Sequence, residues 1–311
     1  MRYNKLMSRK LLRSLLAASV LIVTTAAFAY YLSHHPEAIG QLRQLPPMTL
    51  VTLLLLYCLF LVALTWIQRA TLALCDITLG RKESLLLVMY SSIINFFGPL
   101  QSGPAFRAAY LKRRHNVKLK NYTLATLLYY VFYAIFSGLF IMTYFVGLWG
   151  LLAIIAVIAL TPLLLRNPRF MPARFHNLRL EHIGQLAAAT LAQVSTLAVI
   201  FYVELSSVGR HIAAIPALIY TGAANFALFV SVTPGAIGFR ESFLVFSQRL
   251  HHIVNDQIVS ASLIDRGIYV VFLGLLALFV FGLHAQNYLK PDTSEEARIT
   301  AKAVAKQSGK S

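Results

Sequence analysis

The sequence predicts an all-helical polytopic membrane protein, with six transmembrane helices and two oppositely oriented re-entrant helical hairpins forming an inverted repeat. Three observations carry that prediction. Of 311 residues, 58% are hydrophobic and 13% charged, with a mean hydropathy of +0.67, outside the range of soluble domains. Apolar runs long enough to cross a hydrocarbon core of roughly 30 Å, about 20 helical residues each, recur along the chain. One pattern also occurs twice: an apolar run carrying Asn-Phe, a Gly/Pro-broken turn, then Phe-Arg.

The spans are expected at 12 to 32, 48 to 67, 122 to 146, 148 to 165, 183 to 203 and 258 to 284. Two further runs, 84 to 100 and 212 to 233, each end at a Gly/Pro turn followed by a short mixed segment. Charge decides how these two are read. If both dip in and return, 23 of the 28 Lys and Arg residues fall on the side of the N-terminus, leaving Arg43, Arg210, Arg240, Arg249 and Arg266. That is the positive-inside pattern with both termini cytoplasmic. A full crossing by 84 to 100 would strand Arg107, Lys112, Arg113, Arg114, Lys118 and Lys120 outside. The expected organisation is therefore a basic cytoplasmic N-terminus over 1 to 11, one transmembrane domain over 12 to 285, and a polar cytoplasmic tail over 286 to 311. The hairpins fall at about 84 to 120 and about 212 to 257. Arg2 to Arg13 and Ala27-Phe28-Ala29 mimic a signal peptide, but the apolar run continues through Leu32, so an uncleaved anchor is expected.

The repeat is Tyr90-Ser-Ser-Ile-Ile-Asn95-Phe96 with Gly103-Pro104-Ala-Phe106-Arg107, against Tyr220-Thr-Gly-Ala-Ala-Asn225-Phe226 with Thr233-Pro234-Gly235-Ala-Ile-Gly238-Phe239-Arg240-Glu241. Downstream, Ala125, Leu127, Tyr133, Phe136, Gly138 and Leu139 stand 136 residues before Ala261, Leu263, Tyr269, Phe272, Gly274 and Leu275. Paired interrupted hydrophobic segments are the sequence mark of a transport site at the meeting of two halves. Irregular backbone at membrane depth is tolerated where protein shields it or a wet cavity meets it, so the two breaks should face one cavity.

Pro104 is expected to open one returning helix and Gly238 the other. Helix N-termini present unpaired N–H groups and partial positive charge, which suit a phosphate. Arg107 and Arg240 lie about one turn inside those starts. Arginine at membrane depth costs at least about 2.5 kcal/mol, so it should face a cavity and hold a partner. A guanidinium matches a phosphodiester in bidentate fashion. The alternative for each is snorkelling, or structural pairing with Glu241 or Asp265. Glu241 suits an amine headgroup or neutralises Arg240 or Arg266, and the pairing is the commoner fate. Asp265 and Arg266 are expected to form a partnered polar cluster within their span. Asn95 and Asn225 line the cavity or bond between helices. The candidate substrate-binding set is thus Arg107, Arg240, Glu241, Asn95, Asn225, Gly103, Gly235, Gly238, Asp265 and Arg266.

Several classes are disfavoured. The His34-His35 and His251-His252 pairs lack acidic or cysteine partners at ligand spacing and read as solvated faces, so no metal is expected. Cys58 and Cys75 offer no disulfide framework. No phosphate-binding loop with its Lys and no Ser/His/Asp signature occurs, so no cofactor and no enzyme activity are expected. The net charge of +17 sits in loops beside spans and fits anionic cytoplasmic lipid, with no nucleic acid implied.

The hairpin Thr233-Pro-Gly-Ala-Ile-Gly-Phe-Arg-Glu241 resembles the second hairpin of the lysyl-phosphatidylglycerol synthase transmembrane-region family, a Pro-Gly-x-x-Gly-x-x-Glu turn. Asn95 through Arg107, followed by Tyr110-Leu111-Lys112-Arg113-Arg114, is similar to the family's first hairpin with its basic cytoplasmic exit. The resemblance runs over roughly residues 10 to 285. It departs at Pro104, where the family often has an acid, and at Tyr129-Tyr130, where it often has Glu-Arg; Asp265-Arg266 keeps the charges at the matching place. The resemblance implies a flippase-like protein of the inner membrane that moves a phosphate-bearing lipid, such as a phospholipid, between leaflets. No aminoacyl-transferase domain follows residue 285, so a separate enzyme is expected to make that lipid. Two other classes stay open: an ion-coupled secondary transporter of a soluble anion, for which Glu241, Asp265 and Glu204 are the available coupling groups, and a membrane enzyme using lipid-linked donors.

Overall fold

The computed structural model describes residues 45–97, 102–165, 180–208, 212–230 and 239–289. The described residues form α1 (Pro47–Ala73), α2 (Arg81–Phe97), α3 (Ser102–His115), α4 (Leu119–Leu165), α5 (Leu180–Ser207), α6 (Ala214–Val230), α7 (Phe239–Phe246), α8 (Gln248–His251) and α9 (Asn255–Leu289). Among them, α1, α5 and long stretches of α4 and α9 are long and apolar enough to cross a membrane, which makes this a multi-pass membrane protein. The span expected at 12 to 32 and the tail lie outside the described residues. Those expected at 122 to 146 and 148 to 165 both fall within α4, whose helical backbone is interrupted at Gly147 (φ 63°, ψ −173°). That left-handed φ is open to glycine, and it sits where the two expected spans meet.

Local chemistry sets the helix ends. Pro47 occupies the first turn of α1, where its missing N–H has no partner to lose. At the other end Asp76 adopts a left-handed conformation (φ 62°) and the Ile77 N–H closes back on the Leu72 carbonyl at 3.0 Å, a Schellman-type stop. Asn116 (φ 52°) ends α3 in the same left-handed region.

The helices α2 and α3 form an antiparallel hairpin. At its closed end the Gly103 N–H donates to Asn95 Oδ1 (3.2 Å) and the Ser102 hydroxyl to the Ile94 carbonyl (2.9 Å). A side chain on Gly103 would come within 2.7 Å of the Ser91 carbonyl oxygen, so the approach requires glycine. Pro104 is the third residue of α3 rather than its first, still within the turn whose N–H groups lack helical partners. At the open end Tyr110 Oη and His115 Nε2 both lie 2.7 Å from Glu83 Oε1, and the Tyr110 bond holds the Glu83 carboxyl below its usual range.

The principal core joins Tyr57 and Leu61 of α1, Ile93 of α2, Ile200 and Leu205 of α5, Tyr220 of α6, Leu244 of α7, and Ile258, Ile264 and Phe272 of α9. Leu55, Leu59, Val62 and Trp66 run down the outer face of α1 at helical spacing, the face that suits lipid. Contacts between elements come in matching sets: α1 against α5, α2 against α9 and α6 against α4, α1 against α2 and α5 against α6.

Candidate functional site

Two arginine-centred clusters lie in the bundle. The second in chain order is built on α7 and α9. Arg240, in the first turn of α7, is buried, and its Nη1 lies 2.5 Å from Asp265 Oδ2 while its Nη2 donates to Ser262 Oγ at 3.0 Å. The other Asp265 oxygen accepts from the Tyr57 hydroxyl of α1 at 2.5 Å. Glu241 accepts from Arg266 Nη2 at 2.5 Å and from the Ser262 hydroxyl. The guanidinium of Arg240 also stands over the Phe201 ring, 5.6 Å from its centroid. Two acids therefore face two arginines, with Ser262 bridging, and both pairs are held by direct bonds. Such pairs are costly to break because each leaves a buried charge behind.

The first cluster is built on α1, α3 and α4 and is neutral except for one residue. Arg107 is half-buried, and its Nη1 donates to Gln68 Oε1 at 3.0 Å, an oxygen that also accepts from Tyr122 at 3.4 Å. Tyr129 and Tyr130 lie within electrostatic reach of Arg107. Its buried Nε has no hydrogen-bond partner. Among the described residues no carboxylate lies within ion-pair distance of Arg107. This guanidinium is thus positioned by an amide and, among the described residues, has no carboxylate counter-charge.

Three pairs of residues in and beside the two clusters share one spacing. Tyr57 and Gln193 are 136 residues apart, as are Tyr129 and Asp265, and so are Gln68 and Glu204. Tyr57 of α1 bonds Asp265 of α9, and in the counterpart pair Tyr129 of α4 donates to Gln193 of α5 at 3.1 Å. Gln68, which holds Arg107, corresponds to Glu204. Each cluster draws one ligand from the span belonging to the other stretch of chain.

The expected site residues fall as follows. Arg240, Glu241, Asp265 and Arg266 converge in one network. Arg107 stands apart from it, against Gln68. Asn95 is exposed and caps the turn at Gly103 through its side chain. Asn225 is buried and donates to Ser137 Oγ of α4 at 3.1 Å, a bond between helices. Gly235 and Gly238 lie outside the described residues, as do His34, His35 and Glu37. The reading of His251 as solvated is corrected. It is buried, with Ile253 N–H donating to its Nδ1 (3.2 Å) and its Nε2 facing the Leu244 carbonyl (3.0 Å), because the turn after α8 folds the ring back against Tyr220. Burial holds this imidazole below its usual pKa, as a neutral ring.

Tyr57, Gln68, Gln193 and Ser262 were not singled out from sequence. The 136-residue offset, carried upstream from the downstream repeat to the spans at 48 to 67 and 183 to 203, would have reached Tyr57 and Gln193. Among the described residues no group of three His, Cys, Asp or Glu side chains is arranged to hold a metal ion.

The model of a family described as the lysylphosphatidylglycerol synthase TM region matches residues 12–277. No curated protein matches the chain.

Proposed function

Because the chain belongs to the lysylphosphatidylglycerol synthase transmembrane-region family, we propose that it moves a phosphate-bearing lipid between the leaflets of a bacterial-type inner membrane, with both termini cytoplasmic. The observation that carries this reading is Arg107, a guanidinium on the first hairpin with no acidic partner among the described residues. A cation fixed among neutral side chains suits an anion, and its planar fork suits the two non-bridging oxygens of a phosphodiester. The basic run Lys112-Arg113-Arg114 that ends α3 draws anionic lipid toward the same hairpin.

Support for an inverted repeat comes from the matching helix contacts and the crossed tyrosine bonds. In this reading α2 with α3 enters from the cytoplasm and α6 with α7 from the opposite face. Arg107 receives the headgroup first. Arg240 accepts it when the Asp265 pair opens, so the second site is gated by its own counter-ion. The chain does no bond chemistry; the lipid is made by a separate enzyme and only its position changes.

The test is leaflet exchange in reconstituted vesicles with labelled anionic, zwitterionic and aminoacylated phospholipids. Wild type is expected to exchange lipids by headgroup, and Arg107→Gln to lose that exchange. No exchange above empty vesicles for any lipid would sink the reading and make transport of a soluble anion the leading one.

A further inference from the structure

Glu204 lies on α5, three residues before its end, and is fully buried. Among the described residues neither carboxylate oxygen has a hydrogen-bond partner. Its surroundings are set by four helices. Tyr57 of α1, Tyr220 of α6, Arg240 of α7 and Asp265 of α9 are the titratable and charged groups within electrostatic reach of it. The remaining groups nearby are already committed: Arg266 to Glu241, and Arg240 to Asp265 at 2.5 Å. The titratable groups that α4 turns toward α5 are Tyr129, bonded to Gln193 three turns away, and Tyr133, packed with Val194 and Ala198. Among the described residues the cation in reach, Arg240, is therefore occupied.

An ionised carboxylate with no bonded partner and no free cation costs several kcal/mol to bury, so the group is held as the neutral acid. A hard metal cation such as sodium would need a shell of several oxygens, and among the described residues no group of three His, Cys, Asp or Glu side chains is arranged to hold one. A proton needs none, since it binds covalently to the carboxylate itself. A cleft of about 280 Å³ lined by Thr49, Tyr202, Val203, Ser206 and Ser207 opens on the same turns of α5. Intramembrane carboxylates of this kind mark proton pathways in transporters.

We propose that Glu204 is a proton-binding site that couples lipid movement to a transmembrane pH gradient, an inference that rests on the translocase reading for its coupled step alone. When a phosphate draws Arg240 away from Asp265, that guanidinium moves within the same cluster and the charge balance around Glu204 changes. Asp265 without its cation and the phosphate together leave more negative charge beside the carboxyl, which holds its proton while the phosphate is bound and exchanges it with the cleft once Arg240 has returned to Asp265. The counterpart position in the first cluster, Gln68, cannot titrate, so the coupling resides in one half only.

Two measurements test this separately. Infrared spectra of the purified protein at about pH 8, well above the usual carboxylate range, should contain a protonated-carboxyl stretch that shifts in deuterated water and is missing in Glu204→Gln. No such band in wild type, a result that does not depend on any variant folding, overturns the proposal. So does a band that survives in Glu204→Gln. In vesicles containing labelled anionic phospholipid, an imposed pH gradient should bias exchange by wild type, and Glu204→Gln should lose that bias. A bias that follows a sodium gradient instead overturns it. If the band is present and lost as expected but no lipid moves under any gradient, the proton site stands and the translocase reading falls.

Discussion

Arg107 and Arg240 each follow a phenylalanine in similar stretches of sequence, yet their clusters hold them in opposite ways. Around Arg240 two acids, a second arginine, a serine and a tyrosine form a network of ion pairs and hydrogen bonds. Around Arg107 the corresponding positions are neutral: Gln68 stands in place of Glu204, and Tyr129-Tyr130 in place of Asp265-Arg266. A motif that copies an arginine into two hairpins does not copy its chemistry. The partners on neighbouring helices decide whether the charge is spent on the fold or left for a ligand.

The contrast is most sharply broken by removing each arginine in turn. Arg240→Met leaves Asp265 buried without its cation and should cost about 3–5 kcal/mol of stability. Arg107→Met removes one charge-assisted bond to an amide and should cost about 1.5–3 kcal/mol, the smaller loss of the two. Thermal unfolding in one detergent compares the two, and equal losses would erase the distinction.

The crossed tyrosines give the next effect. Tyr57→Phe deletes a bond to an ionised acceptor, worth about 1.5–3 kcal/mol, while Tyr129→Phe deletes one to an amide, worth about 0.5–1.5 kcal/mol. A larger loss for Tyr129→Phe in the same unfolding assay would mean that Asp265 is neutral.

The smallest change converts one cluster toward the other. Gln68→Glu supplies Arg107 with the acidic partner it lacks, and anionic-lipid binding at that hairpin should weaken about tenfold, or ~1.4 kcal/mol. Unchanged binding in a vesicle flotation assay would place the anion elsewhere.

Much of this was legible in the sequence. Apolar run length located α1, α5 and α9 to within a few residues, because membrane thickness fixes helix length. The Gly-Pro break and Asn95 located the α2–α3 turn, where close backbone approach admits only glycine at position 103. The acids and arginines of the second cluster were found together, since charged residues in apolar spans are conspicuous. Gln68 and Gln193 were not, because an uncharged amide in a span raises no signal until its partner on another helix is known. His251 was misread for a related reason: a polar residue beside a loop looks solvated, and only the fold-back after α8 buries it.

The crossing of Tyr57 to Asp265 and Tyr129 to Gln193 has a consequence for how the chain tolerates change. Neither stretch is a cassette. The early helices complete a cluster that sits on α9, and α5 completes one that begins on α3 and α4. A fault introduced near the beginning of the polypeptide therefore surfaces near its end, and exchanging one stretch for that of a relative would succeed only if its hydrogen-bonding counterparts travelled with it.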